Sequence, residues 1–170
     1  NENQLIIPQH KYESQGVEDP RIVKIDGTFF LTYTAYDGAN ALGALATSKD
    51  LRSFEKEGII TPQMTYKEFQ QCIECCEDVS EKYLRFVKLF YERGGAESAH
   101  KLLIWDKDVV FFPKKINGKF AFLHRIYPDI QIVYVNDFKE LGNGFWKEYM
   151  FNIKKYTLLE SKMHFEASYI

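Results

Sequence analysis

Val23-Lys24-Ile25-Asp26-Gly27-Thr28-Phe29-Phe30-Leu31 and Lys114-Lys115-Ile116-Asn117-Gly118-Lys119-Phe120-Ala121-Phe122 decide the fold of this chain. Each reads as strand, two-residue turn, strand. Asp-Gly and Asn-Gly between apolar strands are the strongest short-range hairpin signals, because both turn positions need positive φ. The likeness runs on past the hairpins. Ala44-Leu45-Ala46-Thr47-Ser48-Lys49-Asp50-Leu51 and then Ser53-Phe54-Glu55-Lys56-Glu57 follow the first. Ile132-Val133-Tyr134-Val135-Asn136-Asp137-Phe138 and then Phe145-Trp146-Lys147-Glu148 follow the second. Each copy therefore offers four short strands, the fourth carrying an aromatic. Four antiparallel strands per repeat is the pattern of a propeller blade.

The turn glycines Gly27 and Gly118 lie 91 residues apart, about twice the spacing of blades of roughly 40–50 residues. A helical insertion over about 64–104 accounts for the excess. Thr65 and Glu68 form a TxxE capping box. Phe69, Cys72, Ile73, Cys76, Tyr83, Val87 and Phe90 then recur at helical spacing, and Gly94-Gly95 ends the run. A helix is predicted across much of 66–92, with a short second one over 96–103. Packing between blades is the default role of the insertion, and a subunit contact is the sharper one.

The expected fold is all-β: about two blades, over 12–62 and 105–160, of one propeller domain spanning 1–170. Each blade should pair antiparallel, with no parallel pairing between the copies. Two blades do not close a ring, since propellers typically have about 4–8, so the chain is expected to be part of a longer protein.

A net charge of -2 with 27% charged residues gives no reason to expect a nucleic acid or a membrane surface as partner. No apolar run approaches the roughly 20 residues needed to span a bilayer. Cys72, Cys75 and Cys76 could be read as a metal or redox cluster. Two of them fall on the apolar helical stripe, however, and no second CxxC or HxxxH completes a ligand set. They read as small buried hydrophobes, and an odd, clustered count favours a reducing, cytoplasmic setting over disulfides.

Three short stretches could carry chemistry. Glu18-Asp19-Pro20-Arg21 places two carboxylates beside a proline-fixed turn before the first hairpin; a solvated turn with a local Asp–Arg pair is the plainer reading. Trp105-Asp106-Lys107-Asp108 enters the second copy, and His124-Arg125 closes its second strand. Taken singly these are surface charges. Sharing a blade is what would bring Lys107 and Arg125 together as a cationic clamp for phosphate. Gly142-Asn143-Gly144 is a turn without phosphate-loop meaning.

GVEDPRI at 16–22, LATSKDL at 45–51, KDVVFFPKKINGKFAFLHR at 107–125 and PDIQI at 128–132, in that order, resemble successive motifs of glycoside hydrolase family 130. The resemblance covers roughly 12–170. It implies a five-bladed β-propeller of about twice this length that phosphorolyses β-mannosides with inversion, giving α-mannose 1-phosphate. By the same resemblance Asp19 is the catalytic acid, protonating the glycosidic oxygen through a mannosyl hydroxyl. Arg21, Asp108 and His124 would contact substrate, and Lys107 and Arg125 would bind phosphate. A further phosphate-binding histidine and a sugar-binding aspartate would lie beyond Ile170. The resemblance implies no metal and no organic cofactor, only inorganic phosphate as co-substrate. The substrate would be a manno-oligosaccharide or mannosyl-glucose, and homo-oligomerisation is left open. A β-mannoside hydrolase on the same fold, or a sugar-binding propeller piece, are the alternative readings. An inverting hydrolase needs two carboxylates about 6.5–9.5 Å apart; a phosphorylase needs one acid and a cationic site.

Overall fold

A computed structural model describes residues 6–75, 81–89 and 101–161. Four strands open it: β1 (Gly16–Ile25), β2 (Thr28–Tyr36), β3 (Ala41–Ser48) and β4 (Glu55–Ile59). They pair in sequence order, each antiparallel to the last. Asp26 and Gly27 carry φ of 47° and 80° between β1 and β2, the positive pair that the Asp-Gly turn was expected to supply.

The insertion follows. The helix α1 (Tyr66–Glu74) begins at the expected capping box, in which Thr65 Oγ1 accepts from Glu68 N at 3.2 Å and Glu68 Oε2 accepts from Thr65 N at 2.8 Å. It buries Tyr66, Phe69, Cys72 and Ile73 along one stripe. It ends at Glu74 with Cys75 as its cap. A second helix, α2, covers 81–89 and buries Tyr83 and Val87. Cys72 is buried and Cys75 exposed. Cys76, Phe90 and most of the short helix expected over 96–103 lie outside the described residues.

The second unit has β5 (Asp106–Phe111), β6 (Phe120–Ile126) and β7 (Ile130–Val135), again antiparallel in order. Asn117 and Gly118 form the expected turn, with φ of 50° and 78°, closed by a single bridge between Ile116 and Lys119. Residues 112–119 are otherwise loop, so this hairpin is looser than the first. The fourth strand is not where it was expected. Phe145-Trp146-Lys147-Glu148 belongs to a helix, α3 (Asn143–Phe151), which is followed by α4 (Ile153–Tyr156). Trp146, Tyr149, Met150 and Ile153 are all buried, a helical stripe whose packing overrides the strand preference of its aromatics. The fourth strand is β8 (Thr157–Leu159), antiparallel to β7.

The chain is thus an all-β propeller portion of two four-stranded units, with helices inserted between and within them. Contrary to expectation, one parallel bridge pair, Leu42 with Asp106, joins β3 to β5. Side-chain packing holds the units together more extensively. Phe30 of the first meets Phe111, Phe120 and Phe138 of the second at ring-centre distances of 5.8, 5.4 and 5.8 Å, within the favourable range for tilted aromatic pairs. Gly43 lets β3 approach β5: a methyl there would run into Val109 Cγ2 and Thr61 Cγ2.

Candidate active site

The first strand of each unit, β1 and β5, carries the same defect. In β1 the register passes from Glu18↔Thr34 directly to Arg21↔Thr32, so Asp19 and Pro20 oppose Tyr33 alone. In β5 it passes from Lys107↔Arg125 to Val110↔Leu123, so Asp108 and Val109 oppose His124 alone. Two residues against one is a β-bulge, which bends the strand and re-aims a side chain. Asp19 and Asp108 take up the strain with φ of 49° and 60°, a region that Asp enters more readily than most residues. Pro20 fits because it needs no ladder partner at a bulge on an edge strand. GVEDPRI is therefore part of a strand, not a turn before one.

Thr32 ties the bulges to each other. Its buried hydroxyl donates to Val109 O at 2.6 Å and lies 3.4 Å from Arg21 O. Glu18, Asp19, Pro20 and Arg21 are exposed, and of β1 only Ile25 is buried. The Arg21 guanidinium turns back to donate to Pro20 O at 3.1 Å.

On the second unit Lys107 and Arg125 face each other directly across the ladder, where side chains of opposed residues lie about 4.5–5.5 Å apart at Cβ. Arg125 also pairs with Asp108, Nη2 to Oδ2 at 2.7 Å, with both side chains about one-third exposed (39% and 34%). The sequence-named Lys107, Asp108 and Arg125 are thus one cluster, with the Asp19–Arg21 bulge on the neighbouring edge strand.

His124 does not join them. It is fully buried and its ring is satisfied on both sides: Nδ1 lies 2.7 Å from Asp106 Oδ2, and Nε2 lies 2.9 Å from Tyr149 Oη. An imidazole so enclosed has no face to offer a sugar, which corrects the expectation that it contacts substrate. The Tyr149 hydroxyl donates to Ile132 O at 2.9 Å. The direction of its bond with His124 Nε2 follows the imidazole tautomer. Burial, then the Asp106 charge, pushes Tyr149 far above the ordinary phenol range, so this donor stays protonated.

The first blade builds the same corner differently. Tyr33, opposite the first bulge, donates to Glu13 Oε1 at 2.6 Å, and Lys56 pairs with Glu13 Oε2. Glu13 is fully buried. Burial alone would raise its carboxyl, but hydrogen bonds from Lys56, Tyr33 and the Gln9 and His10 amides outweigh that and lower it to about 2.

The sequence reading passed over Asp106, Tyr149, Thr32 and Glu13. Only Asp106 carried a local signal, its place directly before Lys107-Asp108; the rest work through partners distant in sequence. Among the described residues no three His, Cys, Asp or Glu side chains gather as a metal site.

A model of glycoside hydrolase family 130, described as beta-1,4-mannooligosaccharide phosphorylase, matches residues 1–93. The chain is 32% identical over 130 residues to a 1,2-beta-oligomannan phosphorylase of Thermoanaerobacter sp., covering 75% of this chain and 30% of that protein. It is 25% identical over 126 residues to a beta-1,2-mannobiose phosphorylase of Listeria innocua, covering 74% and 24%. The solved structure of a Listeria innocua beta-1,2-mannobiose phosphorylase in complex with beta-1,2-mannobiose aligns with a TM-score of 0.49 at 25% identity, over 76% of this chain and 27% of that one. The chain spans less than a third of the length of these curated relatives.

Proposed function

This chain belongs to glycoside hydrolase family 130, and on that premise we propose that the whole protein cleaves β-mannosides with inorganic phosphate, releasing α-mannose 1-phosphate with inversion. The observation that carries the proposal is the direct cross-strand pairing of Lys107 with Arg125 beside a bulged aspartate. Phosphate is a dianion near neutral pH. A lysine and an arginine on one ladder rung supply a point charge and a planar fork that can hold two of its oxygens. Asp108 keeps the fork oriented from one side and leaves other guanidinium N–H groups for the ligand.

In this reading a phosphate oxygen attacks the anomeric carbon while the bond to the leaving sugar breaks. The departing oxygen takes a proton passed from Asp19 through a mannosyl hydroxyl, as the family resemblance implies. Holding nucleophile and acid on strands tied through Thr32 is the positional contribution of the fold. The co-substrate is phosphate, and no organic cofactor enters. The curated relatives named above are phosphorylases of β-1,2-linked mannosides, so β-1,2-mannobiose and longer β-1,2-oligomannans are the first substrates to offer, ahead of β-1,4 oligomers and mannosyl-glucose. The odd, clustered cysteine count suits a reducing, cytoplasmic compartment.

The test is a pair of variants in the whole protein, Lys107→Ala and Arg125→Ala. A charge-assisted contact is worth roughly 1.5–3 kcal/mol, so each should raise the KM for phosphate about 10- to 150-fold and move the sugar KM far less. Equal loss toward both substrates would contradict the clamp.

A further inference from the structure

Arg125 sits in a backbone frame of its own. Its N–H donates to Asp106 Oδ1 at 3.2 Å. The next peptide is held from the other side by the Gln131 side chain, whose Oε1 accepts from Ile126 N at 2.9 Å and whose Nε2 donates to Ile126 O at 3.0 Å. One amide group thus replaces a strand partner where the β6–β7 ladder ends at His124↔Gln131.

Asp106 is itself fully buried and divided between two tasks. Oδ1 takes the Arg125 N–H, and Oδ2 takes the His124 ring. His124 passes the constraint to Tyr149 on α3, which is anchored on Ile132 O of β7. An unbroken line of hydrogen bonds therefore runs from α3 through the interior to the peptide that bears Arg125. Asp106 also directly precedes Lys107, so the same carboxylate fixes the start of the bulge. A buried carboxylate with a buried imidazole is costly unless its geometry is well satisfied, and an apolar pair would fill the space without that cost. The residues given up to this arrangement all converge on one rung of the ladder.

We propose that Asp106, His124 and Tyr149 form a positioning relay that sets the orientation of Arg125 and Lys107 for phosphate, so that α3 governs affinity for the anion without touching it. This rests on the phosphorylase reading above. None of the three is a catalytic residue, since each acts through the Arg125–Lys107 rung.

The test uses the whole protein, with KM for phosphate and for β-1,2-mannobiose measured separately on wild type, Asp106→Ala, Asp106→Asn and Tyr149→Phe. Tyr149→Phe removes a single hydroxyl from the relay and is expected to raise the phosphate KM roughly three- to tenfold with the sugar KM unchanged. Asp106→Ala should raise it further, and Asp106→Asn should recover part of the loss, because an Asn carbonyl can still accept the Arg125 N–H. A purely structural role would reduce the amount of active enzyme, lowering apparent kcat and leaving both KM values alone. That outcome in the variants that fold, or an equal rise in both KM values, overturns the relay. Wild-type turnover indifferent to phosphate would instead overturn the phosphorylase reading, and the relay with it.

Discussion

Asp19 and Asp108 occupy the same position in two blades: each lies in the left-handed region, φ 49° and 60°, inside a two-for-one bulge of its unit's first strand. The repeat has been put to different uses. Glu18, Asp19 and Arg21 stand exposed at the first bulge, whereas Asp108 at the second is drawn into an ion pair with Arg125. One backbone device thus presents an exposed acid on one blade and an oriented cation on the other.

Asp19→Asn is the cleanest probe of the acid. Asn tolerates positive φ at least as well as Asp, so the bulge should survive while the proton source is lost. Turnover of the whole protein should fall on the order of 10²-fold or more, with the melting temperature and sugar KM near wild type. Near-normal kcat at every pH would make Asp19 a bulge residue and nothing else.

Gly43→Ala should loosen the joint between blades. The added methyl meets β-branched Val109 and Thr61, neither of which can swing away easily. Overpacking of this kind costs about 1–3 kcal/mol and would push the Asp108–Val109 bulge outward. Differential scanning calorimetry of the whole protein should show a lower melting temperature. An unchanged one would mean that β3 and β5 have slack between them.

Acid should weaken the first blade through Glu13. Its carboxyl is lowered from 4.5 to about 2 in the folded chain, so its contribution is complete above about pH 4.5 and is lost as pH falls toward 2. The sign follows because the unfolded state takes up the proton first. A shift of that size corresponds to about 3 kcal/mol. Stability measured by denaturant titration from pH 6 to pH 2.5 should fall more steeply in wild type than in Glu13→Gln. Parallel curves would show that the buried pair with Lys56 does not control acid unfolding.

Much of this architecture could be read in the sequence because its signals are local. Asp26-Gly27 and Asn117-Gly118 need positive φ, and Thr65 with Glu68 closes its own capping box within one turn. The misreadings share the opposite cause. Phe145 and Trp146 have strand-like side chains, and only the stripe continued by Tyr149, Met150 and Ile153 makes them helical. Asp19-Pro20 looks like a turn until Thr34 and Thr32 pair on either side of it. His124 was grouped with Arg125 because they are neighbours, yet strand alternation sends one inward and the other out. Its partners, 18 and 25 residues away, left no mark near it. The Lys107–Arg125 rung lay between these cases: each residue stood in a recognisable motif, and the fold supplied the register that sets them opposite.

The most direct measurement of the central claim is product analysis on the whole protein given β-1,2-mannobiose, with and without inorganic phosphate. Phosphorolysis predicts α-mannose 1-phosphate and mannose in equal amounts when phosphate is present, and essentially no cleavage when it is withheld. Release of free mannose alone, at the same rate in both conditions, would contradict it and assign the site to hydrolysis.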